Sequence, residues 1–439
     1  MPDAQATREL ARRIFLEALG EAGIEHAFQQ HVHYERGVLR VGDDLHDLRN
    51  YSRVLVVSFG KAGHRMAECL ARQAGPLLGG IIADPNPPAQ QLAGYRYFAG
   101  SHPQPNQESV RAGEAILKSL DSLTAQSLAI FMISGGGSSV VEKPVDAEIS
   151  LNDLGATYRG LVLSGAPIAE INAIRKHLSA TKGGRMAKAA QGAQQVSILV
   201  SDVPENALDS LASGPSMPDS STVEDCYRIA NDYQMLGDFP ASVCELFERH
   251  ALEETPKRGD PAFARSRWWT VLSNATAERA ALSAAARQGL RVEIDHSSDD
   301  WDYRDAADYL LGRLRALERE VPGACIVSGG EVTVKVTGNG GVGGRNQHFA
   351  LYCAQKIAGE NITVLSAGTD GIDGNSPAAG AVVDGTTSDR ARASGLDPAE
   401  SLRSFNSFPL FEKLGDAIRT GPTGNNVRDL RILIAGQPP

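Results

Sequence analysis

The feature that most constrains the fold of this chain is a recurring unit in which an apolar run of β type ends in a loop of glycine and polar residues. The four runs and their loops are Val54–Val57 with Ser58–Gly63, Leu128–Ile133 with Ser134–Ser139, Val196–Val200 with Ser201–Asn206, and Ile362–Leu365 with Ser366–Gly374. Such runs predict strands, and in open α/β sheets ligands bind just outside the carboxyl ends of the strands. The loops carry a lysine, a glycine nest and several carboxylates, a combination that suits a phosphate anion and indicates an enzyme.

The alternation of these runs with helical stretches predicts an α/β protein of two domains. We expect a Rossmann-like N-terminal domain with a mainly parallel sheet over residues 1–252 and a smaller α/β C-terminal domain over residues 268–439. The segment Glu253–Arg267 between them is rich in charge, proline and glycine, which is typical of a linker. In the second half, Val332–Thr337 is predicted to be a strand that leads into another glycine-rich loop.

Composition and charge favour a globular protein over a membrane protein or a nucleic-acid-binding protein. The 439 residues are 42% hydrophobic and 22% charged, as in soluble chains with a large core, and a net charge of −10 favours neither nucleic-acid nor membrane partners. The five cysteines are widely spaced without a Cys-x-x-Cys pair, so neither a zinc site nor a disulfide framework is indicated. The N-terminal segment has the pattern of an amphipathic helix, and no apolar run reaches the roughly 18 residues that span a bilayer. We therefore expect a cytoplasmic protein, and we interpret the acidic stretch Asp295–Asp305 as a solvated face.

The loop Gly135-Gly136-Gly137-Ser138-Ser139 is the first candidate site. Three glycines leave the backbone amides uncovered and permit the positive φ that turns successive N–H groups inward, and two hydroxyls add further donors. This arrangement suits a phosphate, although the spacing is not that of a Walker A loop. A tight strand-to-helix turn without a ligand explains the same residues.

Two charged residues follow other predicted strands. Lys61 lies in a glycine-flanked loop, where it can reach a phosphate or a carboxylate as a point charge, or be a solvated surface lysine. Asp202 ends an apolar strand, where it can accept a hydroxyl proton or hold magnesium, or serve as a turn residue. Asn206, in the same loop as Asp202, is a candidate phosphate-binding residue.

The glycine-rich loop of the second half allows two interpretations. Gly338, Gly340 and Gly343 match the dinucleotide-binding pattern G-x-G-x-x-G. Alternatively, the glycines bring a helix N-terminus and the planar fork of Arg345 up to an anion.

Two further carboxylates, Asp370 and Asp373, lie on a glycine turn. They can contact magnesium carried with a nucleotide, and a plain Asp-Gly turn fits the residues equally well.

Taken in order along the chain, these loops resemble those of the class II glycerate 2-kinases, a family of ATP-dependent enzymes with a leucine-rich C-terminal domain. The motifs that carry the resemblance are Ser58–Ala62, Ser134–Ser139, Arg175–Ser179, Lys182–Gly184, Ser201–Pro204, Gly344–Gln347, Gly368–Gly374 and Gly421–Val427. They extend over nearly the whole chain. The resemblance implies a two-domain kinase, with its site in the cleft between the domains, that phosphorylates the 2-hydroxyl of D-glycerate with MgATP.

The resemblance also implies roles for particular residues. Lys61, Asp202 and Arg345 would be catalytic, and Gly60 would contact the substrate together with Lys61 and Arg345. We assign the Gly135–Ser139 nest, with Asn206, to the nucleotide phosphates. Lys61 and Arg345 would neutralise the transferring group or bind the glycerate carboxylate, and Asp202 would orient or deprotonate the attacking hydroxyl.

Several alternatives stay open at this point. Asp370 and Asp373 are candidate contacts to magnesium or to the substrate. Members of the family have often carried the label hydroxypyruvate reductase, so an NAD(P)H-dependent reductase that uses the 338–343 loop is the alternative function. A non-catalytic metabolite sensor on the same scaffold ranks last. The oligomeric state is open, with a homodimer as one candidate.

Overall fold

A computed structural model describes residues 4–436 of the chain, which fold into two compact units. The first, here named the parallel-sheet unit, is Ala27–Val271. The second, the mixed-sheet unit, consists of the chain up to His26 and from Leu272 onward. Both units combine helices with a six-stranded sheet, so the expected two-domain α/β class is confirmed.

Fifteen strands are found within the described residues. They are β1 (Val32–Glu35), β2 (Val38–Val41), β3 (Asp44–Asp47), β4 (Arg53–Phe59), β5 (Gly80–Asp84), β6 (Tyr95–Ala99), β7 (Ser127–Ser134), β8 (Gln194–Val200), β9 (Ser266–Leu272), β10 (Arg291–Ile294), β11 (Ala324–Gly329), β12 (Ile362–Gly368), β13 (Gly380–Asp384), β14 (Ala417–Ile418) and β15 (Asp429–Ala435).

Sixteen α-helices accompany these strands over residues 4–436. They are α1 (Ala4–Glu21), α2 (Ile24–His31), α3 (Gly63–Ala74), α4 (Gln107–Asp121), α5 (Gly137–Val140), α6 (Leu151–Leu163), α7 (Ile168–His177), α8 (Arg185–Ala189), α9 (Val223–Asp232), α10 (Ala241–Glu248), α11 (Asn274–Arg287), α12 (Tyr303–Glu320), α13 (Arg345–Lys356), α14 (Thr387–Ala393), α15 (Pro398–Arg403) and α16 (Phe408–Leu414). None of these helices is long and apolar enough to cross a membrane.

The large sheet of the parallel-sheet unit has the strand order β6-β5-β4-β7-β8-β9. Pairing is parallel from β6 through β8, and every residue of β7 is buried, as expected for a strand covered on both faces. From β4 the chain moves outward to β5 and β6, whereas from β7 it moves outward to β8 and β9. The strand order therefore reverses between β4 and β7, which makes their carboxyl ends the topological switch point of the sheet.

The sheet of the mixed-sheet unit has the order β10-β11-β15-β12-β13-β14. Only β10 and β11 pair in parallel, and β15, the last strand of the chain, lies between β11 and β12 and antiparallel to both. The sequence analysis predicted an α/β domain here without a strand direction, because hydrophobic periodicity locates strands without giving their direction.

The domain limits also differ from the expected 1–252 and 268–439. Helix α1 belongs to the mixed-sheet unit, because its apolar side, including Ile14 and Phe15, packs in one buried cluster with Leu365 of β12. The segment 253–267 is part of the parallel-sheet unit rather than a linker. Its Thr255 hydroxyl donates to Asp219 over 2.8 Å, and Phe263 is buried.

Two local expectations fail in the second half. Residues 332–337 form no strand, since their only ladder contact is an isolated bridge between Asp302 and Thr333. The stretch Asp295–Asp305 is not simply a solvated face. Asp295 is buried and pairs with Arg313 over 3.1 Å, so part of the acidic stretch holds the fold together.

Candidate active site

The loops after β4 and β7 lie side by side at the switch point. The backbone N–H of Lys61 donates to the Gly135 carbonyl over 2.9 Å, and the N–H of Ala62 donates to Ser134 Oγ over 3.0 Å. Gly60 has a φ of 111°, and a Cβ at that position would collide with Ser134. Only glycine permits this approach, which brings the predicted lysine loop against the predicted nest.

The Lys61 side chain runs over the second glycine of the nest. A Cβ added to Gly136 would lie 3.0 Å from Lys61 Cγ and 3.3 Å from Lys61 Cε. Lys61 is exposed, and its ammonium makes no hydrogen bond or ion pair with other residues in the 4–436 range. The charge is therefore available to an anion at the nest.

Asp202 reaches the same nest from the neighbouring strand. It follows β8, which pairs with β7, and a Cβ added to Gly135 would lie 2.5 Å from Asp202 Cγ and overlap the carboxylate. The Asp202 carboxylate thus lies directly against Gly135, while Lys61 crosses Gly136. The structure brings a cation, a carboxylate and bare backbone together at one point, as the sequence predicted.

The two serines of the nest are held by groups that the sequence did not single out for binding. Ser138 Oγ lies 2.9 Å from Ser213 Oγ, and Ser139 Oγ lies 3.0 Å from His102 Nδ1. Burial, reinforced by the nearby charge of Lys61, lowers the pKa of His102, so this ring is neutral at pH 7. No local sequence pattern marks His102, and only the fold reveals its position.

A left-handed turn positions Ser213 beside the nest. Ala212, Ser213 and Gly214 have φ values of 50°, 61° and 62°, which are strained for the two residues that carry a Cβ. The turn is fixed by backbone hydrogen bonds from the N–H of Gly183 to the Ser213 carbonyl (2.9 Å) and from Gly184 to Gly214 (2.7 Å). This explains the paired glycines at 183–184 as a support for the site.

Asn206 does not join the other phosphate-binding candidates. It lies exposed at the start of the 3-10 helix Glu205–Ser213, and it is not among the residues that line the groove beside the nest. Ser210 and Ser213, at the other end of that helix, line the groove instead.

The groove beside the nest has a volume of about 650 Å³. Part of its polar lining comes from His102 and from groups of the nest and its neighbours, and it adds two cations, Arg159 of α6 and Arg175 of α7. The members used below are Gly136, Ser138, Ser139, Asp202, Ser213 and Arg175.

Arg345 is the first residue of α13 in the mixed-sheet unit, and it is strongly paired. Its Nε and Nη2 donate to the two oxygens of Asp429 over 2.6 and 3.1 Å, and Nη2 lies 2.7 Å from Glu331 Oε1. Burial alone would lower the pKa of Arg345, but the Asp429 and Glu331 carboxylates outweigh it and raise the pKa above its ordinary value. Burial and the nearby Asp429 raise the pKa of Glu331. The sequence had singled out neither of these two carboxylates.

Asp373 caps the N-terminus of α13 from a distant loop. Its oxygens accept from the backbone N–H groups of Asn346 (3.0 Å) and Gln347 (2.9 Å), and Gln347 Nε2 adds a third bond of 3.0 Å. Burial raises the pKa of Asp373 to about 6. Because its oxygens are engaged by the helix, Asp373 fits a structural cap better than the magnesium contact expected from the sequence.

Asp370 lies nearby and is half-buried. The backbone N–H of Ile372 donates to Asp370 Oδ1 over 3.0 Å, and Asp370 lines a cavity of about 790 Å³ together with Arg345 and Glu331. Across residues 4–436 no three His, Cys, Asp or Glu side chains form a group that could hold a metal ion. Asp370 can therefore be at most one ligand of a metal ion, and the substrates would have to supply the other ligands.

The dinucleotide interpretation of Gly338–Gly343 does not agree with this geometry. A dinucleotide loop follows a strand and presents the amides of the next helix to a pyrophosphate. Here no strand precedes the loop, and the amides of Asn346 and Gln347 already bond to the Asp373 carboxylate. A negative charge of the protein itself occupies the place that a pyrophosphate would need.

Comparisons with known proteins agree over both units. A family model described as a domain of unknown function (DUF4147) matches residues 10–248, and the MOFRL family matches residues 324–429. The D-glycerate 2-kinase of Thermotoga maritima is 35% identical over 87% of this chain and 91% of its own length. A protein of Agrobacterium vitis, provisionally named a hydroxypyruvate reductase, is 35% identical over 88% of each chain. The crystal structure of glycerate kinase from Thermotoga maritima matches with a TM-score of 0.85 at 32% identity, over 98% of this chain and 100% of that one.

Proposed function

Since this chain belongs to the class II glycerate 2-kinase family, we propose that it transfers the γ-phosphoryl group of ATP to the 2-hydroxyl of D-glycerate, giving 2-phospho-D-glycerate and ADP. The observation that carries the proposal is the convergence of Lys61 and Asp202 on the Gly135–Gly136 backbone at the switch point of a parallel sheet. Phosphoryl transfer needs positioning and charge neutralisation more than covalent chemistry, and these groups supply both.

The nest binds the phosphates of the nucleotide. Gly135 and Gly136 place no side chain of their own over the backbone, and helix α5 begins without a side-chain cap. The hydroxyls of Ser138 and Ser139 lie on the same loop, and each can turn toward a phosphate oxygen. A neutral His102 beside Ser139 adds a polar contact without adding a second positive charge.

Lys61 and Asp202 act on opposite partners of the reaction. The glycerate 2-hydroxyl oxygen forms a bond to the γ-phosphorus as the bond to the bridging β–γ oxygen breaks, and the hydroxyl proton passes to Asp202. Lys61 neutralises the negative charge spread over the transferring phosphoryl oxygens. Each role follows from the charge of the side chain and its contact with the nest.

Magnesium would enter with the nucleotide, because Mg²⁺ typically takes one or two carboxylates, substrate phosphates and water. Asp202, beside the nest, and Asp370, in the mixed-sheet unit, are the carboxylates that would hold such an ion. When bound, the ion would supply positive charge to the phosphates of the nucleotide.

Arg345 binds a negative group of the substrates, as the family resemblance implies. Asp429 and Glu331 occupy Nε and Nη2, which leaves Nη1 without a partner in the 4–436 range. The carboxylates fix the plane of the guanidinium, so that its outer edge is preorganised for an oxyanion.

The experiment that tests the proposal replaces the two groups at the nest. Lys61→Ala removes a charge that stabilises the transferring group, and Asp202→Asn removes a proton acceptor while keeping the shape. We expect kcat for glycerate-dependent ADP release to fall by roughly 10²–10⁴-fold in each variant, with melting temperatures close to wild type.

Matched controls come from helix α4, which carries an exposed lysine and an exposed aspartate in its last turn. Lys118→Ala and Asp121→Asn change the same charges without touching the nest, and their kcat should equal that of wild type. Turnover at the wild-type level in both Lys61→Ala and Asp202→Asn would remove the basis of the proposal.

A further inference from the structure

Two cations line the groove, the exposed Arg159 and the half-buried Arg175, and sequence reasoning left Arg175 without a role. It lies in the last turn of α7, and it lines the same groove as Gly136, Ser139 and Asp202. Its placement beside the nest makes it the second cation, after Lys61, at the proposed phosphate site.

The guanidinium of Arg175 has no carboxylate at ion-pair distance within residues 4–436, although the charge of Glu142 acts on it from farther away. It makes no hydrogen bond and no ion pair with the described part of the chain, and its Nε is buried without a hydrogen-bond acceptor. Neighbouring buried cations behave differently. Lys176 pairs with Asp219 over 2.9 Å and with Asp209 over 3.1 Å, and Lys182 pairs with Glu142. Of these three basic residues, the one without a carboxylate partner lines the groove.

The side chain is nevertheless held in place by an aromatic ring. Arg175 Cζ lies 5.0 Å from the centroid of the Tyr158 ring, within the range of a cation–π contact. The Tyr158 hydroxyl donates to Glu142 over 2.9 Å, and the same carboxylate accepts from Ser179 and Lys182. A buried network therefore fixes the ring, and the ring fixes the plane of the guanidinium.

This arrangement is unfavourable unless an anion completes it. Burial lowers the pKa of Arg175, but a guanidinium stays protonated at neutral pH. A partly buried charge without a partner costs free energy, which an oxyanion in the groove would offset. A guanidinium presents parallel N–H groups that match a carboxylate or a phosphate in a bidentate manner.

We propose that Arg175 binds an oxyanion of the substrate pair, either a phosphate of the nucleotide or the carboxylate of the hydroxy acid. Tyr158 is then a positioning residue, which acts by holding the guanidinium plane. The identity of the two substrates rests on the proposed kinase function. The binding of an oxyanion by Arg175 rests on the groove alone.

The test compares Arg175→Ala with wild type by steady-state kinetics, varying ATP and D-glycerate in turn. We expect one KM to rise by roughly 10- to 100-fold, with a smaller change in kcat. A rise in the KM for ATP assigns Arg175 to a phosphate, and a rise in the KM for D-glycerate assigns it to the carboxylate. If both KM values stay within twofold of wild type, the proposal is overturned.

Two further variants keep the outcome decisive. Arg175→Lys keeps the charge and most of the stem but loses the fork, so it should fold and should raise the same KM by a smaller factor. Wild-type KM values in a folded Arg175→Lys would overturn the proposal if Arg175→Ala failed to fold. Arg185→Ala is the control, because Arg185 is comparably buried but bonds to the Glu253 carbonyl over 3.0 Å, and it should leave both KM values unchanged.

A binding experiment separates failure of this inference from failure of the kinase proposal. Titration calorimetry of wild type and Arg175→Ala, with ATP and with D-glycerate separately, requires no turnover. Weaker binding of either compound by Arg175→Ala supports the oxyanion site even if no phosphoryl transfer occurs. Unchanged binding of both compounds would overturn the oxyanion site even if wild type proved to be an active kinase.

Discussion

Two glycine-rich loops of this chain look alike in sequence but differ in the groups that bond to the N-terminus of the following helix. Helix α5 begins at Gly137 without a side-chain cap, and the nearby Lys61 and Arg175 form no ion pair with a carboxylate among residues 4–436. After Gly338–Gly344, the Asp373 carboxylate caps helix α13, and Arg345 is paired with two carboxylates. The first loop thus leads into a helix without a side-chain cap, whereas the first amides of the second helix are bonded to a carboxylate of the protein.

The comparison teaches that a glycine pattern alone does not define an anion site. Both loops present backbone amides, but Asp373 lies far along the chain from the helix it caps. Whether such amides stay available depends on a residue that the local pattern does not contain. We therefore assign the phosphate chemistry to the parallel-sheet unit. The mixed-sheet unit contributes Arg345, whose guanidinium is already paired with two carboxylates.

The largest expected effect comes from adding a methyl group to the open loop. In Gly135→Ala the new Cβ would overlap the Asp202 carboxylate and displace it. We expect kcat to fall by roughly 10²–10³-fold while the melting temperature changes by a few degrees at most. Steady-state kinetics and thermal unfolding of the same preparation measure the two effects.

The matched change in the closed loop is Gly344→Ala, where the new Cβ would collide with Asp373. Its main effect should be on folding, with the free energy of unfolding reduced by about 2–4 kcal/mol because the cap of α13 is displaced. The distinction between the two loops would fail if Gly135→Ala and Gly344→Ala showed the same ratio of activity loss to stability loss.

A smaller effect on turnover, with a clear effect on stability, is expected for Arg345→Ala. The change would leave the buried Asp429 carboxylate without its guanidinium partner, so we expect a loss of about 2–4 kcal/mol in the free energy of unfolding. We also expect kcat/KM to fall by roughly 10- to 100-fold, because an oxyanion contact is lost.

The double variant Arg345→Ala/Asp429→Asn separates the two roles of the arginine. Neutralising Asp429 should restore part of the stability, since only the less buried Glu331 then lacks its guanidinium partner, but it should not restore kcat/KM. Recovery of wild-type turnover in the double variant would mean that Arg345 has only a structural role.

The smallest effect on activity is expected for Asp373→Asn. Asparagine offers one acceptor oxygen in place of two and directs an NH₂ group toward backbone donors, so the free energy of unfolding should fall by about 1–3 kcal/mol at pH 7. The kcat should stay near wild type, because we place Asp373 at the helix cap rather than at magnesium. A loss of turnover larger than tenfold in a folded Asp373→Asn would return this residue to the catalytic site.

The pH dependence of stability sharpens the same test. The pKa of Asp373 is about 6 in the folded protein and about 3.9 in an unfolded chain, so the folded state holds this proton more tightly. Its contribution to stability is therefore full below about pH 4 and is lost as the pH rises through about 6. The stability advantage of wild type over Asp373→Asn should narrow over that range in denaturant titrations. An advantage that widens instead would contradict the raised pKa.

Most of the groups that we propose as catalytic could be located from the sequence because each follows directly after an apolar strand. Lys61, Asp202 and Gly135–Ser139 follow β4, β8 and β7, and parallel strands bring their carboxyl ends to one edge. The strand order was the missing information. The reversal between β4 and β7 is what places Lys61 against Gly136, and no local pattern encodes it.

The supporting groups were missed because their signals are not local. His102 comes from the loop after β6, Ser213 from a left-handed turn, and Arg175 from the end of α7. In each case the residue type is ordinary and only the tertiary contact is informative. The same reason explains why the predicted strand at residues 332–337 is wrong. The alternating apolar residues are present, but apart from one isolated bridge no neighbouring strand pairs with them.

The most direct test of the central claim is a pair of assays on one preparation of the purified chain. One contains D-glycerate, ATP and magnesium and follows ADP release; the other contains hydroxypyruvate with NADH or NADPH and follows nicotinamide oxidation. The account predicts ADP release that depends on D-glycerate, with 2-phospho-D-glycerate identified by phosphorus NMR, and no nicotinamide oxidation. Nicotinamide oxidation without ADP release would contradict it, and would mean that the 338–343 loop binds a dinucleotide despite the carboxylate of Asp373.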